Sequence, residues 1–174
     1  MKKAISMLIV TVFIVIAGMF EVFAIPVGTD TVIKSNINLS KVLNVYTSGT
    51  PSSGNNVTLY TANNSFNNNT QCWVVSELDD NYYTIWLECD GDLGLNINQA
   101  TSKCTVYSIY DNFCNGDYDD YQITFSHISG NTYAILLPGW HRYLSHSGDY
   151  NGSQCYWISD ANGYNSNYYW YFAT

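Results

Sequence analysis

Apolar and polar positions alternate over short distances through most of the chain. Runs rich in Val, Ile, Tyr, Thr and Trp are separated by clusters of Asn, Gly, Ser and Asp. That is the pattern of half-buried strands joined by tight turns, and no long stretch after the N-terminal segment carries helical periodicity. The first strands read Thr31-Val32-Ile33, Val42-Leu43-Asn44-Val45-Tyr46, Val57-Thr58-Leu59-Tyr60 and Gln71-Cys72-Trp73-Val74-Val75. Tyr83-Thr84-Ile85-Trp86-Leu87 then begins the series again.

The series recurs. Leu43-Asn44-Val45 is answered by Leu95-Asn96-Ile97 and by Tyr143-Leu144-Ser145-His146. Val57-Thr58-Leu59-Tyr60 is answered by Cys104-Thr105-Val106-Tyr107 and Cys155-Tyr156-Trp157-Ile158. Gln71-Cys72-Trp73 is answered by Gln122-Ile123-Thr124-Phe125 and Tyr168-Tyr169-Trp170. The period is roughly 50 residues, in the range of repeat architectures. A four-stranded unit this small cannot bury its own apolar face, and open sheet edges invite aggregation. Three units closed around a pseudo-threefold axis solve both problems. The predicted fold is therefore all-β, a β-trefoil of three four-stranded repeats at about 31–80, 81–130 and 131–174, preceded by a signal peptide. A sandwich and a three-bladed propeller are the rivals. Leu43, Val45, Leu95, Ile97, Val57 and Leu59 are expected to point inward.

The first two dozen residues stand apart. Lys2 and Lys3 precede an apolar run from Met7 to Phe20, and Val22-Phe23-Ala24 offers small residues where a signal peptidase reads. Glu21 cuts the run short of a membrane span. The expectation is a signal peptide at 1–24, one domain at 25–174, and a secreted, extracellular product without membrane insertion after cleavage. Lys34, Lys41, Lys103 and Arg142 are then the only basic side chains left, against a net charge of −8 for the whole chain. That sparsity argues against nucleic acid and anionic membranes as partners. Five cysteines, Cys72, Cys89, Cys104, Cys114 and Cys155, form no C-x-x-C pair. Disulfides are expected outside the cell, with one cysteine left over. Asn38, Asn56, Asn63, Asn68 and Asn151 head Asn-x-Ser/Thr sequences, glycan acceptors only in a eukaryotic secretory route.

These motifs resemble the ricin B-type β-trefoil lectins and carbohydrate-binding modules, whose repeats carry a Leu-Asp-Val strand, an apolar-x-Leu-aromatic strand and a Gln-x-Trp. The first unit matches with Leu43-Asn44-Val45, Val57-Thr58-Leu59-Tyr60 and Gln71-Cys72-Trp73. The second has Thr124 where Trp is usual, and the third has Tyr168 where Gln is usual. The resemblance implies shallow sugar sites, with an acidic acceptor on the first motif strand. Here that position holds Asn44, Asn96 and Ser145, which can hydrogen-bond without charge assistance. Val42 and Ala62 stand near where the family's intra-repeat cysteines lie, so its disulfides do not transfer.

A sugar site needs an aromatic face for pyranose C–H groups and a few fixed polar groups for hydroxyls. Unit one offers Tyr60 with Asn44, Asn69 and Gln71. Unit two offers Asn96, Tyr107 (or Tyr110), Asp120 and Gln122. Unit three offers Ser145, Trp157 and Tyr168, with His146 and Asp149 nearby. Glu88-Cys89-Asp90-Gly91-Asp92 and Asp117-Tyr118-Asp119-Asp120 read as solvated acidic turns, because no calcium-loop pattern frames them. His127, His141 and His146 lack zinc spacing, and no metal or cofactor is expected. A nucleophile elbow, H-E-x-x-H helix, P-loop and dinucleotide fingerprint are all missing, so the expected activity is non-catalytic. The function expected is a secreted lectin whose partners are glycans of glycoprotein or polysaccharide. The alternative is a protein-binding trefoil with decayed sugar sites, such as a protease inhibitor or toxin-complex subunit.

Overall fold

A computed structural model describes residues 24–63, 69–79, 81–159 and 166–174. The leader expected at 1–24 falls, except for Ala24, outside the described residues, as does Asn68. Twelve strands run through the described residues: β1 (Asp30–Ser35), β2 (Lys41–Val45), β3 (Val57–Thr61), β4 (Trp73–Asp79), β5 (Tyr82–Leu87), β6 (Asp90–Ile97), β7 (Cys104–Ser108), β8 (Thr124–Ser129), β9 (Thr132–Leu137), β10 (Arg142–His146), β11 (Cys155–Ser159) and β12 (Tyr169–Ala173).

Six of them close a ring. β1 pairs β4, β4 pairs β5, β8 pairs β9, β9 pairs β12 and β12 returns to β1, all antiparallel. The gap between β5 and β8 is bridged at Tyr83 and Ile123, which exchange backbone bonds of 2.9 and 2.8 Å. Closure leaves the barrel no open edge. The other six strands form three hairpins, β2–β3, β6–β7 and β10–β11. Leu59 N donates to Ser153 O at 2.8 Å, Val106 N to Asn55 O at 2.9 Å and Trp157 N to Ser102 O at 2.8 Å. Each hairpin thereby holds the next, and the three bonds form a cycle.

The period-two pattern explains the core. Leu43 faces Leu59, Leu95 faces Val106 and Leu144 faces Trp157, and all six side chains are fully buried. Each such burial is worth about 1.5–3 kcal/mol. Three indoles satisfy themselves inside this apolar volume: Trp73 Nε1 donates to Leu43 O at 3.2 Å, Trp170 Nε1 to Leu144 O at 2.9 Å and Trp157 Nε1 to Asn96 O at 3.0 Å. Unit two has Thr124 in place of a Gln-x-Trp indole, and the Trp157 indole from β11 reaches this unit instead. Trp157, read from sequence as a surface sugar platform, is therefore a core residue with no exposure. Its position matches Leu59 and Val106; the position matching Tyr60 and Tyr107 is Ile158.

One element goes beyond the strand pattern. A short helix, α1 (Ile109–Asn115), follows β7. Ser108 Oγ accepts from Asp111 N at 3.0 Å at its start, and Gly116 ends it in the left-handed region at φ 77°. Its first residue lies over β6 at Gly94, where a Cβ would come within 2.8 Å of the Ile109 side chain. A larger residue there would force the Ile109 side chain to shift.

Candidate functional site

Two open clefts form at corresponding places on the first two hairpins. Cleft one, about 320 Å³, is lined by Asn44, Tyr46, Thr47, Tyr60, Thr61, Asn63, Thr70 and Gln71, among others. Period two sets its floor. Leu43 and Leu59 point into the core, so Asn44 and Tyr60 line the cleft from the neighbouring β2 and β3. Asn44 is buried yet satisfied: its Nδ2 donates to Val45 O at 3.0 Å, while its Oδ1 accepts from Thr70 Oγ1 at 3.0 Å and Gln71 Nε2 at 3.2 Å. Gln71 also donates to Thr61 O at 3.2 Å and accepts from Asn63 N at 2.9 Å. The result is a preset polar floor beside a Tyr60 ring that keeps 44% of its surface in solvent.

Cleft two, about 270 Å³, repeats this plan with different chemistry. Asn96 Nδ2 donates to Ile97 O at 2.8 Å, as Asn44 does to Val45. Its Oδ1 accepts from Asn112 Nδ2 at 2.8 Å, so α1 supplies what Thr70 and Gln71 supply in cleft one. Tyr107 occupies the Tyr60 position and is 37% exposed. Asp120 lines the cleft from a single 3-10 turn, Tyr118–Asp120. Its carboxylate is buried and accepts from Gln99 Nε2 and Trp140 Nε1, each at 2.9 Å. Burial pushes its pKa up, the Gln99 and Trp140 bonds oppose that, and Asp117 and Asp119 add to the rise. The acidic turn expected to be solvated is thus partly structural.

Unit three is built differently. Ser145, in the Asn44 position, is buried. His146 is also buried, with Nε2 and Ser35 Oγ 2.9 Å apart and its ring edge-on to Trp170 at 5.6 Å. Burial lowers its pKa, and the Gly148 backbone and Asp149 push the other way. Tyr168 is half-buried and packs against Tyr143 at a centroid distance of 6.1 Å; Asp149 is exposed. The sequence-predicted set for this unit, Ser145, His146, Asp149, Trp157 and Tyr168, does not converge on one face, because Trp157 and His146 are inside.

Two further sequence choices miss the clefts. Asn69 is exposed and contributes a carbonyl that accepts from Cys89 Sγ at 3.0 Å; its neighbour Thr70 is the lining residue. Gln122 is half-buried and outside the cleft-two lining. The residues that sequence reasoning overlooked there, Asn98, Gln99, Asn112 and Asn115, lie in the turn after β6 and on α1. Ser108-Ile109-Tyr110-Asp111 carries the Ser-x-x-acid capping pattern and was the available signal for that helix. The five cysteines show no bonded pair of sulfurs.

No family model and no curated protein matches the chain. Solved structures do. A designed threefold-symmetric protein, ThreeFoil, superposes with a TM-score of 0.68 at 19% identity, covering 83% of this chain and 98% of that one. The ricin B-like lectin of Macrolepiota procera, solved in complex with lactose, gives 0.64 at 11% identity over 86% of this chain and 97% of its own. An exo-β-1,3-galactanase from Clostridium thermocellum gives 0.68 at 20% identity over 86% of this chain, which spans only 31% of the enzyme. At these identities the likeness is one of fold, and the fold is a β-trefoil.

Proposed function

We propose that residues 25–174 form a secreted, non-catalytic lectin, released after cleavage of residues 1–24 and built from three four-stranded units. Its ligands are glycans, held in clefts one and two. The observation that carries this reading is the paired geometry of the clefts. In each, an Asn on the first hairpin strand has its amide locked by internal bonds, and an exposed Tyr on the second strand stands beside it. A rigid polar floor next to an exposed ring suits a sugar, which offers hydroxyls on its rim and C–H groups on its face. Such sites are weak singly, and two on one rigid body gain from avidity on a multivalent surface. The Macrolepiota lectin bound to lactose supports a sugar ligand for this fold, and the galactanase shows the same fold within a larger enzyme.

Isotope-labelled protein from a secreting host, titrated with lactose and then screened on a glycan array, tests the reading. Amide shifts should concentrate around Asn44, Tyr60, Asn96 and Tyr107 for at least one glycan. A folded protein blank on the array and unshifted in titration would overturn it. The second reading, a protein-binding trefoil, draws on the aromatic surface of α1, where Tyr110 is 68% and Phe113 58% exposed. A protein partner seated there would protect the amides of α1 and spare those of cleft one.

A further inference from the structure

The hairpin cycle brings two cysteines together. Val45 faces Val57, Ile97 faces Cys104 and His146 faces Cys155, so Val57, Cys104 and Cys155 hold the same place in their hairpins. Lys103, just before β7, and Tyr156 of β11 form an isolated antiparallel bridge. Continuing that register by one residue sets Cys104 opposite Cys155. Facing residues in an antiparallel pair have Cα atoms about 4.5–5.5 Å apart, inside the range of about 4.4–6.8 Å that a disulfide spans. Both side chains are fully buried, and the third equivalent position is a valine.

A second pair lies at the end of the β4–β5 ladder, where the register sets Cys72 opposite Glu88 with Cys89 next in the turn. Trp73 faces Leu87, and Glu88 N donates to Cys72 O at 3.1 Å. Cys89, the next residue in the turn, reaches back to Asn69 O at 3.0 Å. Cys114 is exposed on α1. Electrostatics agree with these neighbourhoods. Burial, Asp30, Glu88 and then the Cys89 thiol push Cys72 up to about 11, and burial followed by Cys155 raises Cys104.

We propose that the chain closes two disulfides, Cys104–Cys155 inside the hairpin cap and Cys72–Cys89 beside cleft one, and keeps Cys114 as a free thiol. Each closure breaks two S–H bonds and forms one S–S bond. Two electrons and two protons pass to a disulfide-bearing oxidant such as oxidised glutathione, which leaves as two thiols. The thiolate is the reactive form, and burial suppresses it at Cys104 and Cys155. That bond therefore forms while the chain folds and is sealed afterwards. Cys72–Cys89 has an exposed member and stays open to exchange in the folded protein. It ties down the segment that carries Thr70 and Gln71 into cleft one. The pairing does not rest on the sugar-binding reading.

The full chain is expressed in a secreting host. The purified product is blocked with N-ethylmaleimide in denaturant, digested with chymotrypsin without reduction, and mapped by mass spectrometry. The map should show linked peptides for Cys72–Cys89 and Cys104–Cys155, and the maleimide on Cys114. Either link missing, or Cys114 linked to another cysteine, overturns the scheme. Cys155→Val installs the residue that the Val57 position already holds. In that variant Cys104 should gain the maleimide while Cys72–Cys89 persists; a Cys104 linked elsewhere overturns the Cys104–Cys155 pairing. A mild reductant on the native wild type should open Cys72–Cys89 first, at least tenfold faster than Cys104–Cys155. Equal rates overturn the placement of the buried bond.

Discussion

Gln154, at the entry to β11, is the side chain on which the hairpin cap most visibly converges. Its Nε2 lies 2.9 Å from Val57 O, 3.3 Å from Cys104 O and 2.7 Å from Cys155 O. Those carbonyls belong to the three equivalent hairpin positions, so one amide nitrogen draws three like-oriented dipoles together. An amide carries only two N–H groups, and the two short contacts count most. Each such bond is worth about 1 kcal/mol net, and a buried carbonyl left without its donor costs about 1–3 kcal/mol. Gln154→Ala should therefore destabilise the protein by about 2–4 kcal/mol. Gln154→Met fills similar volume without a donor and should lose nearly as much, which separates hydrogen bonding from packing. Gln154→Glu sets acceptors against acceptors and should be the worst of the three. Guanidinium denaturation followed by tryptophan fluorescence measures the order. A Gln154→Met protein within about 0.5 kcal/mol of wild type would refute the convergence argument, because the donor would then be dispensable.

Tyr60→Ala and Tyr107→Ala remove rings that are already substantially exposed, so each should fold normally and weaken glycan binding at its own cleft by roughly tenfold, or about 1–2 kcal/mol of ring-face burial; amide shifts confined to one cleft in each variant check this. Trp157→Ala should cost about 3–5 kcal/mol of stability by opening a core cavity. Had that indole been a sugar platform, the variant would instead lose binding at unchanged stability, so denaturation and titration together decide. Burial lowers the His146 pKa below the unfolded value of about 6.5. The unfolded chain then binds the proton first, so this group's stability is fully present above about pH 6.5 and falls as the pH drops towards the lowered folded value. His146→Gln should flatten the stability profile below about pH 6.5, and an unchanged slope would remove His146 as its source.

Alternation alone located the inward faces: Leu43, Val45, Leu95, Ile97, Val57 and Leu59 are all buried. The same alternation locates the site in unit one, where Asn44, Tyr60 and Gln71 line one cleft. In unit three the parity of Trp157, not the size of its ring, decides where it points. Counting by twos from Cys155 puts Trp157 inward with Leu59 and Val106, and leaves Ile158 at the Tyr60 position. The sequence does not distinguish Thr70, which lines the cleft, from Asn69, because the turn before Gln71 has no periodicity to fix its register. α1 was missed for another reason. Seven residues carry too little amphipathic signal, and the helix depends on tertiary features: the Ser108 cap, the Gly116 stop and the space over Gly94.

The clefts differ chemically while the frame beneath them is shared, and the bonding pattern explains how. The cycle from Leu59 to Ser153, Val106 to Asn55 and Trp157 to Ser102 uses backbone groups alone. Apart from Gln154, whose amide bonds the hairpin carbonyls, side chains on the outer parity of each hairpin can therefore change without breaking this cycle. In cleft one the Asn44 amide is held by neutral donors; in cleft two α1 holds Asn96, and a buried carboxylate, Asp120, joins the lining. In unit three a serine and an isoleucine stand in the corresponding places, and Tyr143 packs on Tyr168 beside them. A ligand that met all three units with equal affinity would contradict this divergence. On the glycan-binding reading, Tyr60→Ala and Tyr107→Ala together should weaken binding at both clefts by roughly tenfold each, about 1–2 kcal/mol per ring face, while Ile158→Ala, at the corresponding place in unit three, leaves it unchanged.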